Sequence, residues 1–429
     1  MAPEARSAAG RRRGPLAVGA AALLMAAAYS VYMGWPILRR AGRLGGSDFR
    51  WYYTAFWIVL HHVNPAQNLY AHQYFVAWMA ARHFAFARSN VFGYPPTMAL
   101  WFSWVAHWPY SAARQVWDVL MAACLLAAIA LAGLMATPSW PVRFGLWAVA
   151  LALYPVYSNF YWGQINPAVL LCMVLGLLLW SRGHPVWAGA LLAAAALIKV
   201  TPAIILVAFL LAGHWRVVAG AAAAAAGAVA TGAPFVGLRT FATYVGKALP
   251  ALGRSTHPQA PWNQSLLGGL ALAVHPPALA LAAFFVVALG CLAAAAVGLR
   301  RCPDGLPAVV ALVSLLPLVC APIVETHHFV LAILALCLVG ALAWEGKGVR
   351  PRWPQAAAWG AVVLLLVVPT AGFQPQLGYS AAMGLSPLGP AATVLEALQH
   401  VVALALLAGL SAYAALTAQP RGALGPSGG

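Results

Sequence analysis

Arg11-Arg12-Arg13-Gly14-Pro15-Leu16-Ala17-Val18-Gly19-Ala20 opens a run that stays apolar to about Leu38. A secretory leader also begins with basic residues, but its apolar core is only about 7–15 residues long. This run instead reaches the ~20 residues that a spanning helix needs. It predicts an uncleaved first span behind a cytoplasmic basic tail, residues 1–14. The rest of the chain reads the same way: apolar residues make up 63% and charged residues 7%, with a mean hydropathy of +0.82. Such a composition dissolves in a bilayer and predicts an all-α polytopic integral membrane protein.

The net charge of +17 does not imply a nucleic-acid partner. Arg and Lys fall in short clusters between apolar runs rather than along one stripe, which is the positive-inside pattern. Arg143, Arg182, Arg216, Arg300-Arg301, Lys347/Arg350/Arg352 and Arg421 punctuate the runs. Placing them in the cytoplasm sends the turns between them outward and predicts about 12 spans. A core over 15–345 is then followed by C-terminal spans in 346–418 and a Gly- and Pro-rich tail, 419–429, that reads as disordered. Between Tyr94 and Arg143 two apolar pieces, about 95–109 and 116–136, compete for a single net crossing. The arms of the 186–213 hairpin are too short to cross fully, which sets the turn at Lys199 below the outer surface. The six cysteines are scattered without a C-x-x-C pair and predict neither a metal site nor a disulfide framework.

The region 39–94 is rich in Trp, Tyr and His and predicts an external loop with short interfacial helices. Within it stands Gly46-Ser47-Asp48-Phe49-Arg50-Trp51-Tyr52-Tyr53, and Asp48 is one of only seven acidic residues in the chain. A carboxylate among aromatics at a membrane boundary has either a task or the plain role of a helix N-cap. Further polar motifs lie in apolar surroundings: Tyr94-Pro95-Pro96, Gly163-Gln164-Ile165-Asn166, Lys199-Val200-Thr201-Pro202, Asn263-Gln264-Ser265 and Glu325-Thr326-His327-His328. Each has a plain alternative: a helix start at the paired prolines, helix caps at the amides, and snorkelling at Lys199. Adjacent histidines on a helix point ~100° apart, which disfavours a metal. By the topology above, these motifs converge on the outer face.

In this order the motifs resemble glycosyltransferase family 87, a GT-C group of polyprenol-phosphate-mannose-dependent mannosyltransferases and an arabinofuranosyltransferase. The resemblance covers roughly 45–345; the lysine motif departs from the family pattern at Val200 and Thr201, while Lys199 and Pro202 match. It implies a GT-C-type bundle and inversion at the anomeric carbon, with Asp48 as general base and a phosphate-side role for His327 and His328. The expected donor is a polyprenyl-phosphate sugar, the acceptor a lipid or glycan hydroxyl. The site would face the periplasm or cell exterior of a bacterial inner membrane, and no metal or other cofactor is expected.

The residues suit that chemistry. A glycosidase needs two carboxylates, because it must protonate an alkoxide leaving group and activate water. A sugar phosphate leaves as a stable anion, so one base suffices. Lys199, His327 or His328, and a first-loop arginine among Arg39, Arg40 and Arg43, of which Arg43 is the chosen candidate, would hold the departing phosphate. Tyr94, Gln164, Asn166, Asn263 and Gln264 are candidate substrate-binding residues. No Gly-rich nucleotide fingerprint is present, which disfavours a nucleotide-sugar donor. Three alternatives remain: a transporter or flippase of a lipid-linked substrate, a hydrolase pairing Asp48 with Glu325, and a non-enzymatic scaffold.

Overall fold

A computed structural model describes residues 17, 19–31, 48–84, 92–254, 258, 260, 263–301, 307–345, 352–367 and 390–417, and every regular element among them is helical. In hydrocarbon the backbone must satisfy its own hydrogen bonds, which leaves the helix as the local solution for such apolar runs. Proline marks several helix starts, at Trp140–Ala152, Tyr154–Trp162, Asn166–Ser181 and Pro185–Ile198. There its missing N–H is one that the first turn leaves unused.

Five helices are long and apolar enough to cross a bilayer: Tyr110–Ala136, Trp215–Val236, Pro277–Arg301, Thr326–Trp344 and Leu398–Leu416. This is the architecture of a polytopic membrane protein. The five compare with about 12 expected spans; the difference lies in apolar helices of 10–17 residues such as Gly19–Val31, Pro185–Ile198 and Pro307–Val319. At 1.5 Å per residue these extend only ~15–25 Å. Of the expected first span, Gly19–Val31 is seen; residues 32–47, with Arg39, Arg40, Arg43 and Ser47, lie outside the described residues, as do the tails 1–14 and 419–429.

The competing apolar pieces before Arg143 are resolved. Pro96–Trp101 is a six-residue helix followed by a 3-10 turn, Ser103–His107, whereas Tyr110–Ala136 is one continuous helix of 27 residues. Only the last can span. The helix Phe49–Leu60 also differs from the interfacial element expected of it. Ten of its twelve residues are buried, including Trp51, Tyr52 and Tyr53. Its rings pack against protein: Phe49 lies 5.5 Å from Trp117, and Tyr53 lies 5.4 Å edge-on from Tyr110. Their aromaticity reflects a core contact rather than a headgroup contact.

Packing sorts the helices into inner and outer sets. Every residue from Ala308 to Val319 is buried, and so is nearly all of Thr326–Ala341. Trp215–Val236 and Pro277–Arg301 instead turn residues such as Phe235, Val286 and Leu289 outward, as lipid-facing helices do. Pro185–Ile198 crosses Trp215–Val236 closely at Gly189, where a side chain would collide with the Val217 carbonyl. Small residues permit such approaches between membrane helices.

Candidate active site

Asp48 occupies the N-cap position of Phe49–Leu60, yet its side chain makes no capping bond. Instead its Oδ2 accepts a 2.5 Å hydrogen bond from Gln164 Nε2. The amide is oriented from behind, since Tyr52 Oη lies 2.7 Å and Tyr94 Oη 3.2 Å from Gln164 Oε1, and the two hydroxyls stand 2.6 Å apart. Burial raises both phenols above the ordinary tyrosine range, so they remain donors. With Oε1 engaged by hydroxyls, Nε2 is left to face the carboxylate.

The turn that presents Gln164 is braced from the helix Tyr110–Ala136. Trp117 Nε1 donates to the Gly163 carbonyl at 2.8 Å. Arg114, wholly buried, pairs with Asp118 at 2.9 Å and donates to the Phe160 carbonyl. Gly163 itself lies at φ +68°, and a Cβ there would stand 2.8 Å from Phe49 Cβ and 2.9 Å from the Arg114 guanidinium carbon. Gly163→Ala therefore combines left-handed strain of about 1–2 kcal/mol with pressure on the residue next to Asp48. The expected outcome is a fall of a few degrees in the thermal midpoint, checked by a melt in detergent, and a loss of activity larger than that fall explains.

A chain of amides links this turn to the lysine. Asn159 Nδ2 donates to the Gln164 carbonyl at 3.1 Å, and Asn166 Nδ2 donates to Asn159 Oδ1 and to the His327 carbonyl, both at 3.1 Å. Lys199 Nζ donates to Asn166 Oδ1 at 2.8 Å and lies 5.8 Å from the Tyr94 ring centre. Lys199 follows Pro185–Ile198 directly as its C-cap, so the turn fixes where the ammonium emerges. Asn166 is fully buried with its oxygen and both amide hydrogens engaged by protein groups, and it holds Lys199 in place.

The third wall is the segment 322–328. Asn263 Nδ2 donates to the Pro322 carbonyl at 3.0 Å, while its Oδ1 accepts from the N–H groups of Ser265 at 3.1 Å and Val324 at 3.2 Å. Gln264 N–H donates to the Val324 carbonyl, and its Oε1 accepts from Thr326 Oγ1 at 3.1 Å. The helix cap at this motif is Ser265, through Gly268 N–H. Asn263 and Gln264, expected to bind substrate, thus hold the strand of chain that carries Glu325.

His328 Nδ1 accepts the Glu325 N–H at 2.7 Å, which places the ring's own hydrogen on Nε2 as a donor. His327 is buried, with Nδ1 3.8 Å from Glu325 Oε2. The two rings lie 4.4 Å apart with their planes 60° from parallel, within the 3-10 turn Thr326–Ala332.

Asp48, Glu325 and Lys199 form one electrostatic group. Desolvation raises the Asp48 carboxyl above the usual carboxylate range, opposed by the Gln164 hydrogen bond and the charges of Lys199 and Arg114. Desolvation raises Glu325 too, reinforced by the neighbouring Asp48 charge. The Glu325 side chain is 39% exposed although protein surrounds it deeply, as befits a group facing an opening in the fold. Lys199 is lowered to about 7 by desolvation, against the attraction of Glu325 and Asp48. A cation beside two carboxylates whose proton affinities are raised suits both proton acceptance and anion binding.

Of the expected site residues, Asp48, Tyr94, Gln164, Asn166, Lys199, His327 and His328 meet in this network. Asn263 and Gln264 hold the segment 322–326 that carries Glu325, and Arg43 lies outside the described residues. The expectations omitted Tyr52, Asn159 and the Arg114–Asp118 pair. Charges of opposite sign at i and i+4 within an apolar helix were the available signal for the last of these.

The sequence model of glycosyltransferase family 87 matches residues 92–322. The chain is 32% identical over 276 residues to a polyprenol-phosphate-mannose-dependent alpha-(1-2)-phosphatidylinositol mannoside mannosyltransferase of Mycobacterium tuberculosis, covering 60% of this chain and 64% of that one. It is 29% identical over 290 residues to the corresponding pentamannoside mannosyltransferase of Mycolicibacterium smegmatis, covering 64% of this chain and 66% of that one. The matched region thus spans just under two thirds of either relative. No solved structure matches the chain. The family match begins after Asp48 and ends before Glu325; the hydrogen bonds above are what join both to it. With more than half of its length matched, the chain belongs to glycosyltransferase family 87.

Proposed function

We propose that this protein transfers a sugar, in the first instance mannose, from a polyprenyl-phosphate donor to a hydroxyl of a glycolipid acceptor. The acceptor oxygen attacks the anomeric carbon, the bond from that carbon to the phosphate oxygen breaks, and its electron pair leaves with the phosphate. The acceptor proton passes to Asp48. Attack opposite the leaving group inverts the anomeric configuration. Family membership favours this reading over transport, and the donors and acceptors named for the two relatives support the choice of substrates.

The observation that carries the proposal is the joining of Asp48 to Lys199 through Gln164, Asn159 and Asn166. It sets a base with one oxygen held by Gln164 in the same network as a cation available to a phosphate. Lys199 and the Nε2–H of His328 would bind the departing anion. A bundle of the GT-C type with the site on the external face agrees with the short basic turns at the other ends of these helices.

Two measurements test it. Purified protein in nanodiscs should move radiolabelled mannose from polyprenyl-phosphate-mannose to a phosphatidylinositol mannoside, with the product opposite to the donor at the anomeric carbon. No transfer from any polyprenyl-phosphate sugar, or retention of configuration, would refute the proposal. Donor binding should also depend on pH. A phosphate favours charged Lys199, so affinity is full below about pH 7, the value for the free site, and falls by up to about tenfold per pH unit above it. Lys199→Arg, which stays charged, should flatten that slope.

A further inference from the structure

A cavity of about 470 Å³ lies between the ends of four helices, lined chiefly by Leu134, Leu178, Val310 and Leu338, with Ser181 and Arg182 as its polar members. It is remote from Asp48. Arg114, beside the Gln164 turn, and Leu134, in the cavity wall, lie twenty residues apart on Tyr110–Ala136. At 1.5 Å per residue that is ~30 Å, the thickness of the hydrocarbon core.

The same end of the bundle carries four tryptophans at helix ends: Trp140 is 52% exposed, Trp187 70%, Trp215 66% and Trp344 78%. Exposed tryptophans at helix ends favour the boundary between hydrocarbon and headgroups. The cavity opens at that boundary, where Leu134 is half exposed, and runs inward to the buried Val310 and Leu338. Arg182 stands exposed at its polar end. Among the described residues no ion pair of Arg182 is seen. Arg143 is held nearby through a hydrogen bond to the Thr137 carbonyl, just past the cavity residue Met135.

We propose that this cavity binds one anionic glycerophospholipid of the adjacent leaflet, with its phosphate at Arg182 and an acyl chain in the slot between Leu134, Leu178, Val310 and Leu338. Depth and charge identify the occupant. An apolar slot with a guanidinium at its mouth matches a lipid that carries both a chain and a phosphate. Basic pockets between helices at this depth hold anionic headgroups. The site lies too far from Asp48 to hold the donor headgroup.

The test is a titration of the full chain in detergent with phosphatidylglycerol and with phosphatidylcholine of identical chains, read by native mass spectrometry. One phosphatidylglycerol should stay bound at concentrations where phosphatidylcholine does not. Arg182→Ala should weaken that binding about tenfold, as expected for a lost charge-assisted contact, while Arg239→Ala should not. Val310→Trp fills the slot and should abolish retention of the lipid; if that variant fails to fold, Leu134→Trp at the mouth serves instead. Equal binding of the two lipids, or equal losses for Arg182→Ala and Arg239→Ala, overturns the proposal. So does displacement of bound phosphatidylglycerol by stoichiometric polyprenyl phosphate, which would assign the slot to the isoprenoid.

Discussion

Asp48→Asn should lower kcat for sugar transfer by at least 10²–10⁴-fold, the usual contribution of a positioned acid or base, while donor affinity changes little. The amide is nearly the size of the carboxylate and can still accept from Gln164 Nε2, whose bond to Asp48 spans 2.5 Å. Only the capacity to take a proton is lost. Single-turnover transfer and a separate donor-binding isotherm divide the two effects. The wild-type pH profile provides a second check. Because burial raises the Asp48 carboxyl, activity should be lost as pH falls through a value above the ordinary ~3.9. Asp48→Glu should retain an acid limb, at a reduced rate. An Asp48→Asn variant that turns over normally would remove the base from the mechanism.

The second large effect is expected at Asp118, which touches no substrate. Asp118→Ala leaves the fully buried Arg114 guanidinium without its partner at 2.9 Å. Breaking a buried pair on one side costs about 3–5 kcal/mol, so a marked drop in the thermal midpoint is the first readout. The second is catalytic, because Arg114 also holds the Phe160 carbonyl and borders Gly163. A freed turn carries Gln164 away from Asp48. Replacing both members with apolar residues of similar volume, Arg114→Met with Asp118→Leu, should recover much of the stability but not the activity. Stability and activity falling and recovering together would leave the pair a purely structural role.

Much of this arrangement was legible in the residues themselves. Asp48, Gln164, Asn166 and Lys199 are polar groups in apolar sequence, and such groups must find one another or a ligand. Their meeting is what that cost demands. The division of labour among them was not legible. Asn166 and Asn263 are as polar as Gln164, and only the count of hydrogen bonds at each oxygen and nitrogen shows that they are filled by protein. The burial of the Phe49–Leu60 helix was not legible because Trp and Tyr are common both at headgroup depth and in aromatic cores, and period alone does not separate the two. The span count was the least legible, since an apolar run that crosses and a shorter one that stops inside the bundle share the same composition. Pro96–Trp101, with four of its six residues buried, shows that a short helix can be buried in the body of a membrane protein without reaching both faces.

The brevity of the two arms around Lys199 has a consequence for the acceptor. Pro185–Ile198 has fourteen residues, about 21 Å of rise, some 10 Å less than the hydrocarbon thickness. Under the proposed reaction the phosphate is therefore met beneath the headgroups. A molecule already embedded in the leaflet arrives there by lateral diffusion, whereas a free oligosaccharide must shed water to descend. Catalysis at this depth selects acceptors by their anchorage before any hydroxyl is compared.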